Sequence, residues 1–203
     1  AYNCAECFLR LTPGMPMSAL GRVKAIAPVA ALGRDCRIPL REKLACTRDE
    51  KVVLIAFGGI DKQVPVEQWP RNLGIRWLVP QRWGVVQGNV SSFEVLGLAL
   101  PDLLRSVDAV LTKPGYGTFT EAACNGTPVL YLRRDDWPEQ DVLIEWLKIN
   151  ARCCEISETS LRSGYLRVTL DKVWQLAAPD QPCPTGAAQA AAMISTLLEP
   201  EKT

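Results

Sequence analysis

The 203-residue sequence contains no histidine. That absence removes the Ser-His-Asp and Cys-His nucleophile arrangements from this chain. Any acid or base within it has to be a carboxylate, a lysine, a tyrosine or a cysteine. No apolar run is long enough to cross a bilayer, and "VVLIAF" is only strand-sized. Nor is there an excess of charge: 23 Lys+Arg face 22 Asp+Glu, which argues against a general nucleic-acid or membrane-surface binder. The opening "AYNCAECFLRL" lacks the basic start and long apolar stretch of a signal peptide. It also lacks an initial Met and enters a strand-like "CFLRL" almost at once. This reads as part of a longer protein, although a cleaved Met before Ala1 gives the same start.

Eight cysteines are present, and "CAEC" at Cys4 and Cys7 has metal or redox spacing. A second CxxC is missing. Cys36, Cys46 and the adjacent Cys153 and Cys154 show no recognisable zinc-ligand spacing. The cysteines are expected to be small apolar residues, reduced in a cytoplasm, with no metal bound.

Residues 1–40 read as an irregular lead-in, with a turn-rich "TPGMPMSALG" and a strand in "VKAIAPVA". "PLREKLACT" follows as a short helix with Pro39 in its first turn. From Lys51 the rhythm becomes strand, loop, helix. "KVVLIAF", "IRWLVP", "DAVLTK", "PVLYL" and "ARCCEI" read as strands, with a weaker one in "SSFEVLGL". "PDLLRSV", "GTFTEAACNG", "PEQDVLIEWLKIN", "TLDKVWQL" and "GAAQAAAMISTLLE" read as helices, the last with a stripe of Ala187, Ala191, Ile194 and Leu198. Strands that are apolar throughout, alternating with helices, predict an α/β domain: an open, mostly parallel Rossmann-like sheet covered on both faces. Ligands of such sheets bind outside the carboxyl ends of the strands. "FGGID" and "TKPGYGT" are expected there. The first is not G-x-G-x-x-G, which ranks a dinucleotide-dependent enzyme low.

The loop before "GTFTEAACNG" has the makings of an anion site. Gly115 and Gly117 permit positive φ and leave no side chain in the way. A helix starting near Thr118 would present free N–H groups and its positive end. Thr118 adds a hydroxyl and Lys113 a charge. Glu121 could accept both hydroxyls of a ribose. The plain alternative is a tight turn with Thr118 as N-cap and Glu121 at N3 of a capping box.

"KPGYGTFTEAACNGTPVLYLRRDDWPEQ" resembles the donor-binding segment of GT-B glycosyltransferases, closest to the branch with the peptidoglycan N-acetylglucosaminyltransferase and the UDP-glycosyltransferases. The family pattern is a basic residue, a Gly-rich turn with Ser or Thr, a Glu, Gly-x-Pro before a strand, and an Asp-Gln or Gln-Gln pair. Here these positions are Lys113, Gly115, Thr118, Glu121, Gly126, Pro128, and Glu139 with Gln140. "FGG" at Phe57 to Gly59 matches the other donor-side glycine loop, and the similarity as a whole covers about Lys51 to Asn150 and, more loosely, the last helices. The resemblance implies a C-terminal GT-B half that binds a nucleotide sugar, most naturally UDP-linked, without a cofactor or metal. Gly58, Gly59, Lys113, Gly115, Gly117 and Thr118 would hold the diphosphate and Glu121 the ribose. Glu139 and Gln140 would face the sugar, and the base would lie along the loop from Gln87 to Phe93. Residues 1–40 would be the tail of an N-terminal domain and the interdomain linker, and 41–203 the donor domain. The acceptor and the catalytic base are unknown, the family's usual acceptor site and base lying in the N-terminal domain. There are departures: the His often found at the Lys113 position is absent, and "RRDDWPEQ" is more charged than usual. Arg133 and Arg134 could read an acidic sugar or acceptor, or pair with Asp135 and Asp136 at the surface. Trp137 could stack on a sugar. An epimerase or hydrolase on the same fold, or a non-catalytic nucleotide-binding module, stays open.

Overall fold

A computed structural model describes residues 4–59, 63–85, 88–134 and 136–198. Ile60 and Asp61 of the first glycine loop, Gln87 of the expected base loop and Asp135 lie outside the described residues.

Two short strands, β1 (Phe8–Leu11) and β2 (Val23–Ile26), pair in parallel as a small separate sheet. An extended strap over residues 27–36 leads to helix α1 (Arg37–Lys43). The main sheet follows. Its strands are β3 (Lys51–Ile55), β4 (Ile75–Val79), β5 (Val90–Ser92), β6 (Ala109–Thr112), β7 (Val129–Tyr131) and β8 (Cys153–Glu155). They lie in the order β5-β4-β3-β6-β7-β8, and every neighbouring pair is parallel. The expected fold class is therefore what the chain adopts.

Six further helices lie among the described residues: α2 (Leu100–Ser106), α3 (Tyr116–Asn125), α4 (Gln140–Asn150), α5 (Glu158–Ser163), α6 (Arg167–Gln175) and α7 (Gly186–Leu198). Two cores form because each strand sends alternate residues to opposite faces. Val52 and Leu54 of β3 pack with Leu103, Phe119 and Leu147 from α2, α3 and α4. Val53 and Ile55 pack on the other side with Trp77, Leu161 and Leu170. Trp69, Trp77 and Trp83 are all buried in that second core, with Trp69 and Trp77 edge to face at 4.8 Å.

Several expectations need correction. "VKAIAPVA" is a strand only through Ile26; the rest is the strap. The weak strand lies earlier than "SSFEVLGL" suggests, at Val90–Ser92, and Glu94–Leu96 is a 3₁₀ turn. Helix α5 escaped notice, although Ser157 caps it by accepting the Ser160 N–H at 3.1 Å and Gly164 ends it at φ 71. The stripe on α7 is not buried: Ile194 and Leu198 are exposed. The helix leaves the main sheet and runs beside β2, held by Gly186 N–H to Pro28 O (3.1 Å) and Ala27 N–H to Gln189 Oε1 (2.7 Å). No helix among the described residues is long and apolar enough to cross a membrane.

Candidate functional site

Strand order dictates where a site can form. From β3 the chain moves outward to β4 and β5, then returns to the opposite side of β3 for β6. Crossovers on either side of β3 and β6 diverge, which opens a crevice at their carboxyl ends. Both glycine loops emerge there. The loop after β3 carries Gly58 and Gly59, and the loop after β6 carries residues 113–115. The two strand ends are tied together: Ala56 N–H donates to Leu111 O at 2.9 Å, and Thr112 Oγ1 donates to Ala56 O at 2.6 Å.

Lys113 sits in this crevice. A Cβ built on Gly58 would lie 4.0 Å from Lys113 Nζ, and one on Gly115 would lie 3.9 Å from it. The ammonium therefore lies between the two loops. It is half-buried and forms no ion pair among the described residues. Burial lowers its pKa, and the positive charge of Arg134 lowers it further. A desolvated cation beside a second cation is an electrostatic arrangement that an anion would relieve.

Helix α3 starts two residues earlier than the sequence suggests. Gly115 is the N-cap, in extended backbone at φ −173, and Tyr116 is the first helical residue. Of the loop glycines, only Gly58 has positive φ, at 61. Gly115 and Gly117 are not needed for left-handed backbone. Gly59 and Gly117 instead leave open space, with no atom within 4 Å of where a Cβ would be. Gly115 brings no side-chain cap, so the first N–H groups of α3 stay without one. Thr118 is the third helical residue, half-buried, and no hydrogen bond engages its hydroxyl among the described residues.

The same shift disposes of the capping box. Glu121 is the sixth residue of α3, too far along to reach the N-cap amide. It faces the strap. Burial raises its carboxyl pKa, while the backbone N–H of Ala31 acts in the opposite direction. Around it the strap is laced to α3: Val29 N–H donates to Tyr116 Oη at 2.9 Å, and Asn125 Nδ2 donates to Ala31 O at 3.0 Å.

The loop after β7 is less open than its composition suggests. Gln140 clasps Arg134: the Arg134 N–H donates to its Oε1 at 2.9 Å, and its Nε2 donates to Arg134 O. The amide is thus spent on shaping the loop. Glu139 is the half-buried N-cap position of α4. With Tyr116 it lines a groove of about 470 Å³, whose other wall is Leu9, Leu11, Met15 and Met17. Arg134 pairs with Asp136 at 3.2 Å and lies 4.7 Å above the Trp137 ring. Arg133 pairs with Asp141, the second residue of α4. At the far end of the crevice, Phe93 N–H donates to Val79 O at 3.1 Å, which holds the end of β5 against β4.

Sequence reasoning overlooked the strap and the residues that fix it: Tyr116, Asn125, Asp102 and Ser106. The only local signal was buried polar chemistry on otherwise apolar helices.

This is the fold of one half of a GT-B glycosyltransferase. The calicheamicin glycosyltransferase CalG4 superimposes with a TM-score of 0.60 at 14% identity, over 90% of this chain and 49% of that one. The Os79 protein of O. sativa in complex with UDP gives 0.52 at 15% identity, over 90% and 51%. The glycosyltransferase SnogD from Streptomyces nogalater gives 0.50 at 15% identity, over 93% and 56%. No family model matches the sequence. Among curated proteins, an L-arabinokinase of Arabidopsis thaliana is 26% identical over 206 residues, covering 98% of this chain. The chain spans 19% of that kinase and about half of the length of these solved structures.

Proposed function

We propose that the chain is the nucleotide-sugar-binding half of a glycosyl-transfer protein. Lys113, Thr118, the amides at the start of α3 and the Gly58–Gly59 loop receive the diphosphate of a UDP-sugar. Glu121 receives the ribose, Glu139 faces the sugar, and the base lies along the region of Gln87 to Phe93. Residues 1–40 belong to the neighbouring domain and the connection to it, and 41–203 form the donor domain. The acceptor and the catalytic base lie on the other half, so this chain alone binds the donor without turning it over. The setting is cytoplasmic, where the thiols stay reduced.

The observation that carries this reading is the Lys113 ammonium, half-buried between two glycine loops and paired with no carboxylate among the described residues. The neutralising group is best supplied by a ligand, and the uncapped amides at the start of α3 suit a phosphate. The solved neighbour in complex with UDP is consistent with the class of ligand.

A second reading is favoured by the similarity to a sugar kinase along nearly the whole chain. In that reading the same site binds a nucleotide sugar without transferring it, as a module of a larger enzyme. An epimerase or hydrolase would use the same phosphate loop. Product analysis of the full-length protein with UDP-sugars, with and without candidate acceptors, separates these. Transfer supports the first reading, binding with no turnover the second, and acceptor-independent conversion the third.

A further inference from the structure

The amino edge of the main sheet, opposite the crevice at the carboxyl ends, holds a second cavity of about 370 Å³. Lys51 starts β3, Asp108 precedes β6, Pro128 precedes β7 and Arg152 precedes β8, and all four line it. A strand of five residues such as β3 is about 16 Å long, so its length separates this cavity from the donor crevice.

The lining carries four cationic side chains, Arg37, Lys51, Arg105 and Arg152, against two carboxylates, Asp35 and Asp108. Asp108 is already committed. Its Oδ2 accepts the Val52 N–H at 2.8 Å and lies 3.9 Å from Arg41, while its Oδ1 lies 3.4 Å from Lys51 Nζ. Asp35 Oδ1 accepts the backbone N–H of Arg37 at 2.9 Å. None of the three lining arginines forms an ion pair among the described residues.

Each arginine instead meets a carbonyl at a helix end. Arg37 Nε donates to Ser106 O at 3.4 Å, Arg105 Nη1 to Asn125 O at 3.0 Å, and Arg152 Nη1 to Trp174 O at 3.3 Å. These carbonyls lie in the last turns of α2, α3 and α6, where the helix dipole favours a cation. The contacts fix the guanidinium groups in place and leave their charge without a counter-ion. Each guanidinium has five N–H donors in a rigid fork. Arg105 spends another on Gln181 Oε1, at 3.1 Å. Arg37 and Arg152 keep both remaining nitrogens for a ligand. Forked guanidinium donors match the oxygens of a phosphate.

We propose that this cavity is a second anion site, which takes a phosphate group, free or as a monoester, between Arg37, Arg105 and Arg152 with Lys51 beside it. It does not rest on the donor-site reading above, because it uses the other edge of the sheet and none of the same side chains. Arginines that only capped three helices would contribute to stability and bind no anion.

The test is isothermal titration of the full 203-residue chain, in phosphate-free buffer, with inorganic phosphate and with glucose 6-phosphate. It is run on Lys113→Ala, so that the ammonium of the donor crevice does not contribute. One-to-one saturable binding is expected. Tighter binding of glucose 6-phosphate than of phosphate identifies a monoester as the occupant, and otherwise the occupant is the free ion. Adding Arg37→Gln or Arg152→Gln should weaken the binding at least tenfold, the equivalent of one charge-assisted hydrogen bond. Arg37 is exposed, so Arg37→Gln decides the matter if Arg152→Gln does not fold. No saturable binding to Lys113→Ala, or unchanged affinity in either folded arginine variant, overturns the proposal.

Discussion

Replacing Lys113 by alanine removes the ammonium that lies between the two glycine loops. A unit charge about 4 Å from a phosphate oxygen is worth about 4 kcal/mol at an effective dielectric near 20. Part of this is offset, because the ammonium is only half-buried and water screens it. A charge-assisted hydrogen bond of about 1.5–3 kcal/mol is the better guide. Lys113→Ala should therefore weaken UDP binding by about 10- to 100-fold and leave uridine binding nearly unchanged. The ligand-free protein should not melt lower, since burial and Arg134 already disfavour the lysine charge. Titration calorimetry with UDP and uridine, beside thermal melts, reads all three quantities. Equal losses for UDP and uridine would refute the reasoning, as would a variant that melts lower and binds UDP normally.

Four further outcomes follow from the same geometry. Glu121→Gln should keep its melting temperature, since the change is isosteric at a half-buried position, while UDP binding falls about tenfold and the preference for ribose shrinks, as calorimetry would show. Gly117→Ala should stabilise the free protein by about 0.5–1 kcal/mol in denaturant melts, as Ala for Gly in a helix with open space around it, and yet weaken UDP binding. UDP affinity should fall as pH rises through the depressed pKa of Lys113, and binding there should take up protons, because the anion favours the charged form. It should also fall at the acid end, as pH drops through the raised pKa of Glu121 and the carboxylate takes a proton; calorimetry in buffers of different ionisation enthalpy measures both.

The main sheet was legible because strands buried on both faces read as unbroken apolar runs, as in "KVVLIAF" and "PVLYL". Short elements were less so. β5 has three residues at the sheet edge, and α5 has six, so neither builds a long periodic pattern. The start of α3 was misread because Thr118-x-x-Glu121 imitates a capping box, whereas the true N-cap is a glycine with no side-chain signal. The strap was illegible for a deeper reason. Its order comes from Asn125, Asp102, Ser106 and Tyr116, residues about 68 to 94 positions away, and not from its own sequence. At the candidate site, the chemistry of Lys113 and the glycines could be read locally. The commitment of Gln140 to Arg134 could not, because an amide beside a charged loop shows nothing of its partners.

The most direct measurement is a crystal structure of this chain grown with UDP. The diphosphate should lie within hydrogen-bonding distance of Lys113 Nζ and the N–H groups at the start of α3, with the ribose hydroxyls on Glu121. UDP bound at another edge of the sheet, or Lys113 and Glu121 both out of reach of the nucleotide, would contradict the account.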